Sequence, residues 1–310
     1  MKFFNLQNIY IFLFSIIPIT IIIGPSVSLI NILFLSLIFL FYLLNEKNSY
    51  ILKNQTVTIL ICIYFYLIFN SFISVDFEKS APRNFGFLRF ILFFLVLNFF
   101  IYKHKSINNI LVIWFITVFV LLFDSYIEII FGKNLLGYGS FYKERVVSFF
   151  KDEPIVGGYL NGFLFIMIGF LFHKFFNKGF RYKILLFLII ISLITCILLT
   201  GERSNGIKAV FGTLLFFLLN QKIDIRNKII SIVTVIGFAF IIILNSDYLK
   251  VRYGKQLFSN IFDANKRAEF VEGDIYIKLY KSGYAVFKDY PIFGVGNKNY
   301  RVVTSNNIIE

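Results

Sequence analysis

Charge is scarce in this sequence. Only 15% of its 310 residues are Asp, Glu, Lys or Arg, against 58% hydrophobic and 20% aromatic. Soluble domains carry roughly 25% charged residues, so the composition points away from a water-exposed globule. Cysteine is nearly absent as well. Cys62 and Cys196 stand far apart inside apolar runs with no CxxC, which argues against a disulfide framework or a zinc site and for two small buried hydrophobes. The only two histidines, His104 and His173, sit beside lysines at the ends of apolar runs. No HExxH, Ser/His/Asp set or P-loop occurs. Acid is scarcer than base, leaving a net charge of +14. The lysines and arginines are dispersed at helix ends and loops. They form no basic stripe interleaved with aromatics, so nucleic acid is not the expected partner, and anionic lipid or phosphate explains the charge more simply.

What the sequence has in abundance is long uncharged runs of Phe, Ile and Leu, with a mean hydropathy of +0.78. A helix needs about 20 apolar residues to cross a bilayer. The stretch from Ile9 to Leu44 is too long for one crossing, and Gly24-Pro25 breaks it. Spans are therefore expected near 9–23, 26–44, 56–74, 87–102, 107–131, 155–172, 183–200, 205–219 and 229–246, about nine, of which the first and eighth are short. Lys2 before an apolar run imitates a signal peptide, but no small-residue cleavage site follows, so it reads as a retained first helix. The expected fold is an all-α integral membrane protein, with a transmembrane domain over 1–246 and a polar periplasmic helical segment over 247–310.

Loop charges orient these spans. With the N-terminus cytoplasmic, the inner side holds Lys2, Lys47, Lys53, Lys103, Lys105, Lys174, Lys178, Arg181, Lys183, Lys222, Arg226 and Lys228. The outer short loops hold fewer basic residues: Lys79, Arg83, Lys133, Lys143, Arg145, Lys151 and Arg203. The bias has the direction of the positive-inside rule. Arg89 lies just inside the outer end of the fourth span and does not alter the sign. The tail then falls outside. Within it, Ile275 to Asp289 reads as an amphipathic helix, with Lys278, Lys281 and Lys288 on one face and Ile275, Leu279, Tyr280 and Phe287 on the other. Its apolar face suits either the membrane interface or packing on the rest of the domain. Pro291 and Gly294-x-Gly296 stop it.

Three outward patches could carry chemistry. The first runs from Gly132 to Glu153, with Arg145, Asp152 and Glu153 close to a helix start and Gly157-Gly158 beyond, where two backbones could approach closely. Arg145 could clamp a phosphate with its planar fork, or the stretch is a solvated loop. The second is Thr200-Gly-Glu202-Arg203-Ser204-Asn205-Gly206, with Lys208 one turn into the next helix. A helix N-terminus beside two cations suits a diphosphate, while a capped hairpin is the plainer alternative; Lys208 inside an apolar helix favours the first. The third, Asp289 to Arg301 with Gly294, Gly296 and Asn299, reads by itself as a helix stop and turn. Asp124 and Glu128, four apart near the outer end of the fifth span, read as a helix end at the water interface rather than as a base or cation site.

Taken in order, these phrases resemble the O-antigen ligase/polymerase family. The resemblance rests on Thr200-Gly-Glu-Arg203-Ser-Asn opening a short apolar helix. It rests also on Arg145 followed by Ser148-Phe-Phe-Lys-Asp-Glu153-x-x-x-Gly-x-Tyr-Leu160, and on the late Tyr290-Pro-Ile-Phe-Gly-Val-Gly296-x-x-Asn299-Tyr. It implies an all-helical glycosyltransferase of the GT-C type. The donor would be an undecaprenyl-diphosphate-linked glycan and the acceptor lipid A-core or a growing glycan, with surrounding membrane lipid, no nucleic acid and no cofactor or metal. The setting would be the periplasmic face of a bacterial inner membrane. Arg145 and Arg203 match the family's diphosphate-holding arginines, with Lys208 beside them and Asp152, Glu153, Glu202, Ser204, Asn205, Gly294, Gly296 and Asn299 in support. The family's periplasmic histidine, which acts on the acceptor hydroxyl, has no counterpart on the outer side. We therefore expect the sequence to be truncated, and name no catalytic residue. The competing readings are a transporter or flippase of lipid-linked sugars and an inactive fragment of the family. A transporter should carry ionisable groups near the bilayer midplane, whereas the polar clusters here lie at span ends.

Overall fold

The computed structural model describes residues 2–46, 54–103, 107–139, 145–259 and 275–306. His104, the loop lysines 47, 53 and 105, and Tyr142–Glu144 of the first patch lie outside the described residues. The chain is an all-α integral membrane protein, and no strand occurs among the described residues. Its helices are α1 (Lys2–Ser15), α2 (Ile17–Ile23), α3 (Pro25–Glu46), α4 (Gln55–Phe72), α5 (Phe77–Phe85), α6 (Leu88–Lys103), α7 (Ile107–Phe131), α8 (Val156–Phe175), α9 (Phe180–Leu199), α10 (Arg203–Leu219), α11 (Ile225–Asn245) and the single turn α12 (Asp247–Leu249). A π-helical stretch, Lys250–Ser259, follows α12, and then come α13 (Ile275–Asp289) and α14 (Tyr300–Asn306).

Among the described residues, seven segments are long and apolar enough to cross a membrane: Pro25–Leu43, Gln55–Phe72, Phe77–Phe100, Ile107–Phe131, Val156–Lys178, Phe180–Leu199 and Ile225–Asn245. The other two of the nine expected spans fall short. The first run breaks at Ile16 into helices of 14 and 7 residues, and Pro18, which lacks an amide donor, lies in the first turn of the second. α10 has 17 residues, its start fixed by the polar turn before it. Gly24 breaks the chain as its sequence suggests, at φ +149°, and Pro25 opens α3, where a missing N–H costs nothing.

The helices fall into two compact units. The first comprises Met1–Phe14, Gly24–Ile107 and Arg267–Glu310. Its apolar centre lies between α3 and α6, where Phe14, Leu35, Phe39, Val96 and Phe100 are buried. Its polar end is built on α5, a helix standing where the residues between the third and fourth runs read as loop. Asp76 caps α5 by accepting from the Lys79 amide at 3.2 Å and pairs with the Lys79 ammonium at 3.0 Å. The Lys79 hydrogen bond and charge hold the Asp76 carboxyl below its usual range. Buried Asn84 donates to the Leu67 carbonyl (2.9 Å) and to Ser71 Oγ (2.8 Å), tying α5 to α4. The Tyr290–Tyr300 phrase docks on this corner. Asn70 donates to the Phe293 carbonyl at 2.9 Å, the Val75 amide to the Val295 carbonyl at 3.1 Å, Asn297 to Asn84 Oδ1 at 2.9 Å and buried Asn299 to the Asp76 carbonyl at 3.0 Å.

The second unit comprises Ser15–Ile23 and Asn108–Lys266. α8 is its hub, buried on most of its circumference from Val156 to Phe172 and packed on α9 and α10. α11 packs on α9 and α10 yet turns most of its apolar surface outward, with Ile229, Val233 and Phe240 exposed. Exposed apolar residues on so many long helices are the face a bilayer covers. Phe165 lies against Gly212, so that a Cβ there would collide with its ring and α10 stays close to α8.

Candidate functional site

The site in the second unit begins with two acids on α7. Asp124 is 0% and Glu128 5% exposed, so both carboxylates are buried rather than standing at a wet helix end. Burying a carboxylate is costly unless donors surround it. Glu128 accepts from the Val147 amide (3.0 and 3.2 Å) and the Ser148 amide (2.5 Å). Asp124 accepts from Ser148 Oγ at 2.5 Å, Asn134 Nδ2 at 3.2 Å and the Leu135 amide at 3.0 Å. Asn134 in turn donates to the Ser148 carbonyl at 2.8 Å and accepts from the Leu136 and Tyr138 amides. Two intramembrane acids thus pin both ends of the 132–150 loop and set Arg145, half-buried, next to the pinned Val147.

The second patch is fixed by Glu202. Its side chain does not cap α10. It reaches instead to the first turn of α8, accepting from the Gly157 amide at 2.7 Å and from Asn205 Nδ2 at 2.5 Å. Contact this close requires glycine. A Cβ on Gly157 would lie 2.6 Å from Thr200 Oγ1 and 2.9 Å from Glu202 Oε1, and one on Gly158 3.3 Å from Asn205 Nδ2. The close approach expected of Gly157 and Gly158 is therefore present, with the Thr200–Asn205 turn as its partner. Because Glu202 faces α8, its side chain makes no cap hydrogen bond to the first amides of α10, and half-buried Arg203 opens the helix.

The π-helical stretch completes this corner. Arg252 donates from Nε (3.3 Å) and Nη2 (3.1 Å) to the Gly201 carbonyl and lies 5.8 Å from the centre of the Tyr248 ring. Gly201, at φ +72°, leaves room for Tyr248, whose Oη a Cβ would meet at 2.5 Å. Tyr253 is buried against Gly206. Burial pushes its phenol up to about 12, while the nearby Arg252 and Arg203 pull the other way. It is therefore a neutral hydroxyl at physiological pH, adjacent to Arg203.

A cavity of about 400 Å³ lies beside the turn, lined by Glu128, Gly132, Arg145, Leu199, Asp247 and Tyr248 among others. Tyr248 is the shared wall, facing the cavity and covering Gly201. Lys250 pairs with Asp247 at 2.8 Å, and this hydrogen bond and charge hold the Asp247 carboxyl below its usual range. The cavity sets Arg145 in its wall together with the Glu128 and Asp247 carboxylates.

Among the residues singled out in the sequence, Gly157, Glu202 and Asn205 are in direct contact, and Arg145 joins them through the Tyr248 wall. Ser204 and Lys208 are exposed on α10, and Asp152 and Glu153 are exposed in their loop. Gly294, Gly296 and Asn299 belong to the other unit, where they form the docked turn described above; Gly296, at φ +91°, leaves room for Ser74. Three residues of the corner, Tyr248, Arg252 and Tyr253, went unnoticed in the sequence, and Asp124 and Glu128 were taken for a wet helix end. Asp124 and Glu128 carried a readable signal, since an acid pair within an apolar run requires buried donors. Tyr248, Arg252 and Tyr253 carried only a Tyr- and Arg-containing stretch after the last span.

Residues 187–308 match the family model Wzy_C, described as O-Antigen ligase. The match runs from within α9 through the Thr200–Asn205 turn to the end of α14. No curated protein and no solved structure matches the chain.

Proposed function

We propose that the chain, whose residues 187–308 match the O-antigen ligase family model, is a member of that family and transfers or polymerises undecaprenyl-diphosphate-linked glycan on the outer face of a bacterial inner membrane. Membership supports a general role in lipid-linked glycan transfer. The finer reading rests on one observation. Glu202 locks the Thr200–Asn205 turn against the start of α8, which fixes Arg203 at the opening of α10, and Tyr248, packed on Gly201 of that turn, also lines the cavity that holds Arg145.

In this reading Arg145 and Arg203 hold the donor diphosphate, with exposed Lys208 as a third cation. An acceptor hydroxyl oxygen attacks the anomeric carbon as the bond from that carbon to the diphosphate oxygen breaks. The electron pair leaves with undecaprenyl diphosphate, and the hydroxyl proton goes to a base. Negative charge on the leaving group grows in the transition state, which is where preset guanidinium groups lower the barrier. Acceptors in this reading are lipid A-core or the growing glycan.

The test is glycan transfer in cells by Arg145→Lys and Arg203→Lys at matched protein level. Lysine keeps the charge and loses the planar fork. Loss of a buried charge-assisted contact costs roughly 2–5 kcal/mol, so transfer should fall at least about tenfold. Normal transfer by both variants removes these residues from the site.

A further inference from the structure

A second cavity lies within the first unit, beside the docked turn that carries Gly296 and Asn299. It is an open cleft of about 1230 Å³ lined by Lys79, Arg83, Arg89, Lys298 and Arg301, with Glu78 the single carboxylate in its wall. Leu67, Phe87, Phe90 and Val302 supply an apolar side. Among the described residues there are two ion pairs, and neither involves Arg83, Arg89, Lys298 or Arg301. Lys79 alone has a carboxylate partner, Asp76. Arg89 Nε is buried without a hydrogen-bond partner, while its guanidinium lies 4.8 Å from the centre of the Phe90 ring.

Two distant segments bring these cations together. Arg83 and Arg89 come from α5 and α6, and Lys298 and Arg301 from the docked tail. The bonds that hold the tail there are neutral: Asn297 to Asn84, Asn299 to the Asp76 carbonyl, Val75 to Val295. Uncharged groups thus do the fastening while cations from both segments line one cleft. Such an arrangement is repulsive until an anion enters. The volume exceeds what one phosphate needs and lies above the usual range of about 300–1,000 Å³ for a small-molecule site. The apolar side on a segment, Phe77–Phe100, long and apolar enough to cross a membrane suits a group attached to lipid.

We propose that this cavity binds a lipid headgroup bearing clustered phosphates, at a site separate from Arg145 and Arg203. The arginines would take phosphate oxygens in paired hydrogen bonds, and Phe87, Phe90 and Val302 would line the first carbons of the chain. The assignment stands whether or not the second unit holds the donor.

The full chain, purified in detergent, is photolabelled with a benzophenone-bearing prenyl diphosphate, and the labelled peptides are mapped by mass spectrometry. Label is expected on peptides covering residues 82–90 or 297–305. Arg83→Gln with Arg301→Gln should lower that label at least about tenfold, the effect of losing one charge-assisted hydrogen bond. Arg203→Gln should leave it unchanged while reducing any label on α10. Excess inorganic pyrophosphate distinguishes the source of phosphate: weak competition means a lipid-borne group, and full competition means that the phosphates alone suffice. If the double variant loses its unfolding transition, the exposed single change Lys298→Gln replaces it, with a smaller drop expected. Absence of label on both peptides, or label indifferent to Arg83, Arg301 and Lys298, overturns the proposal.

Discussion

The Glu202 carboxylate spans two helices, accepting from the amide at the start of α8 and from Asn205 on α10. That geometry makes Gly157 a sensitive position. Gly157→Ala would set a methyl within 2.6 Å of Thr200 Oγ1 and against Glu202 itself. Both neighbours lie in a turn closed by its own hydrogen bonds, so relief requires moving α8 from the turn. Overpacking of this kind costs about 1–3 kcal/mol. We expect Gly157→Ala to lower the thermal midpoint in detergent and to reduce glycan transfer, whereas Gly162→Ala, whose Cβ would meet nothing within 4 Å, leaves both unchanged. Equal behaviour of the two variants would show that the Glu202 contact does not order the site. The sequence disclosed Gly157 and Glu202 as candidates because small residues and a charge stood at helix ends. It could not disclose that they meet, because 45 residues separate them. Asp124 and Glu128 were misread for a related reason. Spacing told that they share a face, but only the fold supplies the Val147, Ser148 and Leu135 amides that make their burial tolerable.

Among the elements, α13 was the most legible, its bounds Ile275 and Asp289 following from the periodic pattern and the proline just beyond. What covers it was not legible. The fold places Leu279 at 50% and Tyr280 at 78% exposure, so that apolar face is left open among the described residues. Of the two settings its sequence allowed, the membrane interface is the one we propose. Leu279→Asp should then weaken association of the tail with the bilayer and expose it to protease in vesicles, while Lys281→Ser leaves protection near its original level. Surface changes away from such contacts stay within about 0.5 kcal/mol. Identical protease sensitivity in both variants would show that the Leu279 face touches no lipid. α5 teaches the opposite lesson. Its Pro82 and its charges conceal a helix that Asp76 caps and Asn84 anchors. The break at Ile16 was hidden as well, since Gly24-Pro25 accounted for the length of the run without it.

At the scale of the molecule, the apolar runs foretold an all-helical membrane protein, and seven segments meet the length a bilayer requires. The family phrase around Arg203 was legible as well, and residues 187–308, which contain it, match the O-Antigen ligase family model. Division into two compact units was not, because the tail's partners, Asn70, Val75, Asp76 and Asn84, lie more than two hundred residues earlier in the chain. The central claim is that Arg145 and Arg203 work on the outer face. It depends on orientation, for which loop charge is the argument. The most direct measurement is labelling of single cysteines in intact cells with a membrane-impermeant thiol reagent, on a background free of Cys62 and Cys196. Cysteines at positions 145 and 203 should label without permeabilisation, and one at position 181 only after it. Labelling at 181 in intact cells, with none at 145 or 203, would place the arginines inside and contradict the account.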